Sequence, residues 1–326
     1  MRIIYTALVA AALLFGNIAL GQVGLQSSDL YKFRSIGDVQ FSPDGSHIAY
    51  TVENNGTTGR PYSQLWIMNL ASGKSSRVGN DNDRGGGPEW SPDSKAIAFH
   101  GAFNGKSGLY VAQSDGSGLR FLHEIEGTNS PLPSTGKSIA WSPDSRRLAF
   151  ISSTPGPEAD LNGDPVVITR YLYKPDFSEG NSHFNDNRRT HIFIADLGSG
   201  NVQQLTQGDH YEHSIDWSPN GQQLLFVSNR EPNEDQFFNY DIFAIKVADG
   251  SIRRLTATEN AEYRPRWSPD GKQIIYQATR RGLTDLETTM EDTHIWIMNA
   301  DGSDRRELGG VIDNRQGAAS WSKDGK

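Results

Sequence analysis

The chain contains no cysteine, which excludes disulfides, thiol catalysis and lipid attachment at a cysteine lipobox together. Windows of helical periodicity are scarce, so bundles and doubly wound sheets are poor fits. No block of lysine or arginine stands out: 31 basic residues against 39 acidic ones give a net charge of −8, spread along the chain. Nucleic acid is therefore not an expected partner, because neutralising phosphates takes clustered cations. Long apolar runs are confined to one place, Ile3 to about Leu20, directly after Met1-Arg2. This run has the form of a signal peptide, with small residues in Ala19-Leu20-Gly21 placing cleavage before Gln22. The expectation is an exported, periplasmic or secreted protein with no membrane insertion after cleavage.

What the chain has in abundance is a repeat. Trp267-Ser268-Pro269-Asp270-Gly271 has close copies beginning at Phe41, Trp90, Trp141, Trp217 and Trp321. The aromatic-to-aromatic spacings are 49, 51, 76, 50 and 54 residues, the period of a propeller-like array. Each unit reads as four short strands. The first ends at the aromatic, and Ser-Pro-Asp-Gly supplies a turn. A second strand follows at once, as in Ile97-Ala98-Phe99 or Ile274-Ile275-Tyr276, its short apolar run suited to burial on both faces. A third strand such as Leu65-Trp66-Ile67-Met68 leads to an Asp-Gly hairpin, read as a tight two-residue connection. The fourth strand, as in Arg253-Arg254-Leu255, is a polar edge whose charges discourage pairing with other chains. The predicted fold is an all-β propeller of four-stranded blades spanning 22–326, with five complete repeats and the start of a sixth.

The long spacing holds an insertion, about Thr154 to Arg189. Val166 to Tyr173 reads there as a strand and Lys174 to Arg189 as a polar loop. Loops on a rigid scaffold commonly carry binding, and Arg170 and Tyr173 are the candidate substrate-proximal residues: the guanidinium suits a carboxylate, the phenol suits stacking or hydrogen bonding. Other constellations carry less. Asp160-Leu161-Asn162-Gly163-Asp164 alternates oxygen ligands, but Pro165 stands where a calcium loop needs glycine and Tyr171 where it needs a bidentate glutamate. His210 and His213, three apart before a strand, point to opposite faces. Two acidic loops, Glu231 to Asp235 and Asp285 to Asp292, join second to third strands and so share one side of the disc. No metal or cofactor is expected.

The Trp-Ser-Pro-Asp-Gly repeat with its following strand and Asp-Gly-Ser hairpin resembles the propeller repeat shared by TolB and the prolyl oligopeptidase family of serine peptidases. Val167 to Lys174, Arg188 to Ile194 and the opening Asp29 to Gly37 are similar to the acylaminoacyl-peptidase-like branch. That resemblance implies a seven-bladed propeller covering a C-terminal α/β-hydrolase domain and restricting entry to a Ser-Asp-His triad. The chain lacks the Gly-x-Ser-x-Gly nucleophile elbow such a domain requires, so no catalytic residue is assigned within it. The expectation is a truncated, non-catalytic propeller that gates or binds peptides for its own hydrolase domain. The alternative is a TolB-like periplasmic propeller that binds an envelope protein without catalysis.

Overall fold

The computed structural model describes residues 24–55, 60–129, 135–161, 163, 165–171, 173, 184–232, 234, 236, 239–279, 293–312 and 314–325. Five four-stranded antiparallel sheets account for nearly all of it, each made of four consecutive strands. Blade I comprises Ile36–Phe41, His47–Asn54, Tyr62–Asn69 and Ser75–Arg77; blade II comprises Arg84–Trp90, Ala96–Phe103, Lys106–Gln113 and Arg120–His123. Blade III comprises Ile139–Trp141, Arg147–Pro155, Arg188–Asp196 and Val202–Gln204. Blade IV comprises Glu212–Trp217, Gln223–Ser228, Asp241–Lys246 and Ile252–Arg254; blade V comprises Glu262–Trp267, Gln273–Thr279, Thr293–Asn299 and Arg306–Glu307. First strands of successive blades lie side by side.

Each hydrophobic cluster lies between two successive blades rather than within one. Ala49, Leu65 and Ile67 pack against Ile97, Phe99 and Tyr110; Ala98, Leu109 and Val111 against Trp141, Leu148 and Phe150. The same pattern joins blade III to IV and blade IV to V. This is why second strands read as unbroken apolar runs: Ile97, Ala98 and Phe99 are fully buried, with a neighbouring blade on each side.

The repeated motif has two jobs. Inside each copy the serine hydroxyl donates to the Asp or Asn two residues on, from Ser42 to Asp44 through Ser322 to Asp324, and in the five complete blades it accepts the amide five residues on. Between copies, the indole ties blades together. The Nε1 groups of Trp90, Trp141, Trp217 and Trp321 donate to the carbonyls of Gln40, Glu89, Ala140 and Arg266, at 2.8–3.2 Å. Trp267 is the exception. Its backbone N–H goes to Asp216 Oδ2 at 2.9 Å, and its buried indole finds no acceptor among the described residues. Among the described residues no preceding blade packs against Phe41, which is exposed, as are Ile36 and Val39. At the sixth copy, Lys323 Nζ donates to Pro43 O at 3.1 Å.

Two sequence expectations need correction. The stretch 166–173 forms no strand among its described residues. Val166, Val167 and Ile168 are exposed, with no neighbouring strand to take their backbone; Leu172 lies outside the described residues. The third-to-fourth connections are also longer than two residues. Asn299 N donates to Ser303 O around a three-residue loop and Lys246 N to Ser251 O around a four-residue one, each closed by a glycine of positive φ. The fourth strands lie at the sheet edges, as expected, and their arginines also reach the next blade: Arg253 donates to Ala300 O and Asp301 O, and Arg120 to Leu197 O.

Candidate functional site

A four-stranded meander puts its first-to-second and third-to-fourth connections at one end, and its second-to-third and blade-to-blade connections at the other. The first end, the turn face, repeats the same serine–aspartate geometry in every copy. The other end, the loop face, differs from blade to blade, and on blades III and IV it gathers a network of charged side chains.

The insertion leaves blade III from a ladder that stays paired to its tip, with Thr154 opposite Arg189 and Pro155 opposite Arg188. Gly156 follows, its N–H bonded to Asn187 O at 2.8 Å. A Cβ there would lie 2.5 Å from Asn187 O and 2.9 Å from Arg189 Nη1, so only glycine fits this root. The returning arm is tied to the loop ahead of blade III: Asp186 accepts from Thr128 Oγ1 at 2.7 Å and Asn129 N at 2.9 Å, and Asn129 Nδ2 donates to Phe184 O at 2.6 Å.

At the centre Tyr211 is buried beneath two guanidinium groups, Arg189 at 5.0 Å and Arg170 at 5.8 Å from its ring. Arg189 is fully buried; its Nη2 donates to Glu158 Oε2 at 2.6 Å, its Nε to Asp209 O at 2.6 Å and its Nη1 to the Tyr211 hydroxyl at 3.2 Å. Arg170 spans the two blades, pairing with Glu158 Oε1 at 3.7 Å and Glu234 Oε1 at 3.3 Å. The other Glu234 oxygen is 2.7 Å from His210 Nδ1. Two arginines thus face two glutamates, which is the condition for holding such charges out of water.

Arg170, singled out as substrate-proximal, is therefore an anchor of the insertion with its charge already matched. Tyr173 is 42 % exposed and its ring lies 6.4 Å from that of Phe184. Tyr173 and Phe184 are both exposed and form an accessible aromatic ledge, and Tyr171 is exposed as well. His210 and His213 part company: His213 is buried edge-on against Tyr240 at 4.9 Å, and burial lowers its imidazole to about 4. Glu231 pairs with Arg254 at 2.5 Å. The acidic run 285–292, Asn162 and Asp164 lie outside the described residues, among which no group of three or more His, Cys, Asp or Glu could hold a metal. Glu158 had drawn no attention from sequence, since nothing in its spacing joins it to Arg170 and Arg189.

Comparison with known proteins places this geometry. A sequence model of the TolB beta propeller domain matches residues 171–294. The chain is 26% identical over 233 residues to the uncharacterized peptidase YuxL of Bacillus subtilis (strain 168), covering 68% of this chain and 34% of that one. It is 34% identical over 134 residues to a protein TolB homolog of Chlorobium chlorochromatii (strain CaD3), covering 40% and 27% respectively. The chain thus spans about a third of the length of the curated relatives it matches. Among solved structures, the acylaminoacyl peptidase of Pyrococcus horikoshii superposes with a TM-score of 0.62 at 20% identity, over 87% of this chain and 40% of that one. That likeness is one of fold.

Proposed function

We propose that this chain, a TolB-like β-propeller, is the non-catalytic propeller of an exported serine peptidase of the prolyl oligopeptidase type, binding or gating short peptides on its loop face. The observation that carries the reading is the insertion of blade III, pinned to blade IV by Arg170, Arg189, Glu158 and Glu234, which presents Tyr171 and Tyr173 beside a charged platform. Aromatic side chains held on a rigid scaffold suit recognition of extended peptides at low entropic cost. The kinship with a Bacillus peptidase over 68% of the chain supports the same reading. Arg170 then acts as a positioning residue, and Tyr173 as the contact residue. The hydrolytic step belongs to a serine–histidine–aspartate set outside these residues, and the propeller limits what reaches it. Export to the periplasm or beyond is part of the proposal, supported by the apolar run near Met1.

A second reading is favoured by the TolB homolog at 34% identity: a propeller that binds an envelope protein and catalyses nothing. The full natural gene product separates the two. Under the first reading it cleaves a blocked tripeptide anilide and spares a folded protein of the same composition. A product with no peptidase activity, and with no serine elbow encoded beyond codon 326, would replace it with the second.

A further inference from the structure

Two neighbouring seams are built on one plan and closed by different chemistry. Between blades III and IV, Thr206 Oγ1 accepts the Ile192 N–H at 2.9 Å and donates to Glu212 Oε2 at 3.0 Å. His191 Nδ1 lies 2.8 Å from that same oxygen, and Arg230 Nη2 lies 2.8 Å from Oε1. Thr206 and Arg230 bring their own hydrogens, and His191 does so with its proton on Nδ1, so the carboxylate can serve purely as acceptor.

Between blades IV and V, Thr256 Oγ1 likewise accepts the Ile242 N–H at 2.8 Å, and Glu262 stands where Glu212 stood. The position of His191 is taken by Asp241. Thr256 Oγ1 is 3.0 Å from Asp241 Oδ1 and 3.0 Å from Glu262 Oε2. A hydroxyl carries one hydrogen and can donate to only one of them; the other contact is a hydrogen bond only when the carboxyl supplies the proton. Arg254 pairs with Asp241, which keeps the negative charge there. Among the described residues no cation pairs with Glu262, which accepts the Thr258 hydroxyl at 2.6 Å.

We propose that Glu262 is held as a neutral acid at neutral pH, and that its proton, donated to Thr256, which donates in turn to Asp241, is the pin closing the seam between blades IV and V. Its loss at alkaline pH loosens this seam and leaves the III–IV seam, closed by His191, in place. Asp241 and Glu262 are at most 1 % exposed. Burial raises the Glu262 carboxyl to about 8, and the charge on Asp241 adds to the rise. Burial raises Asp241 too. The remaining ionisable groups around the pair are Arg254, the Glu231 that shares it, and the Tyr263 and Tyr276 hydroxyls, both pushed above their ordinary value by burial. Arg254, Tyr263 and Tyr276 are all held above their ordinary values and keep their protons across neutral pH. Because the folded value of Glu262 lies above the unfolded one, its contribution is complete below about 4.5 and is lost as pH rises through about 8.

The test is the unfolding midpoint of the full chain from pH 6 to pH 9, with amide protection factors at 255–262 and 205–212. The wild type should lose midpoint and protection at 255–262 as pH rises, by clearly more than any change at 205–212. Glu262→Gln, which keeps a donor without a titratable proton, and Asp241→His, which copies the neighbouring seam, should both flatten that slope. The infrared spectrum of the wild type at pH 7 should contain a protonated-carboxyl carbonyl band. No such band, or the same slope in Glu262→Gln, would overturn the proposal; the wild-type spectrum decides even where a variant fails to fold.

Discussion

The two faces of the disc are made from the same strands and differ in what they repeat. On the turn face, six copies of one motif form the same serine bond, to an aspartate in five and to Asn220 in one; Asp44 and Asp270 are exposed, yet their carboxyls are depressed by the Ser42 and Ser268 hydroxyls. On the loop face, the second-to-third connections differ in length from blade to blade. Blade II crosses from second to third strand through Asn104-Gly105 alone, whereas blade III spends the whole of 156–187 on the same crossing. Repetition marks what holds the blades in register, and individuality marks where selection can add a site without disturbing the stack.

The largest effect should come from breaking the repeat. Trp141 is buried between blades II and III and donates to Glu89 O at 2.8 Å. Trp141→Ala should cost about 3–5 kcal/mol, as large aromatic truncations do, measured by denaturant unfolding. A loss under about 1 kcal/mol would mean that the seams do not carry the stability assigned to them. Breaking the loop face should cost less and stay local. Arg189→Leu removes the buried guanidinium that ties the insertion root to Glu158 and Asp209; about 2 kcal/mol is expected, below the range for fully buried pairs because Glu158 keeps Arg170 and some solvent. Amide exchange should rise at 156–171 and not at the turns. Global loosening would erase the distinction between the faces.

How much of this was legible in sequence follows the same division. Strand order, the placement of six aromatics and the interblade core could be read because the motif recurs six times and the full strand pattern five, with small variations. The stretch 166–173 misled because an apolar run signals a strand only when a partner strand exists. The insertion instead holds its course through ion pairs, and those were unreadable: Arg170 meets Glu234 across 64 positions, and no local pattern links them. Asp-Gly suggested two-residue hairpins, but the dipeptide also fits the three- and four-residue loops found, each closed by a glycine of positive φ. The exchange of His191 for Asp241 was visible on aligning the third strands, but its consequence appears only when the single hydrogen of Thr256 is counted.

The central claim is that function sits on the loop face while the turn face is scaffold. With no cysteine in the chain, one can be placed on either side at will: Tyr173→Cys on the aromatic ledge, Asp270→Cys on an exposed turn. Each variant of the full natural gene product is then compared before and after modification with a bulky maleimide, reading turnover of the blocked tripeptide anilide. Modification at 173 should abolish or strongly depress turnover while modification at 270 leaves it within twofold of the unmodified variant, about 0.4 kcal/mol. Equal loss at both sites, or loss at 270 alone, would contradict the account.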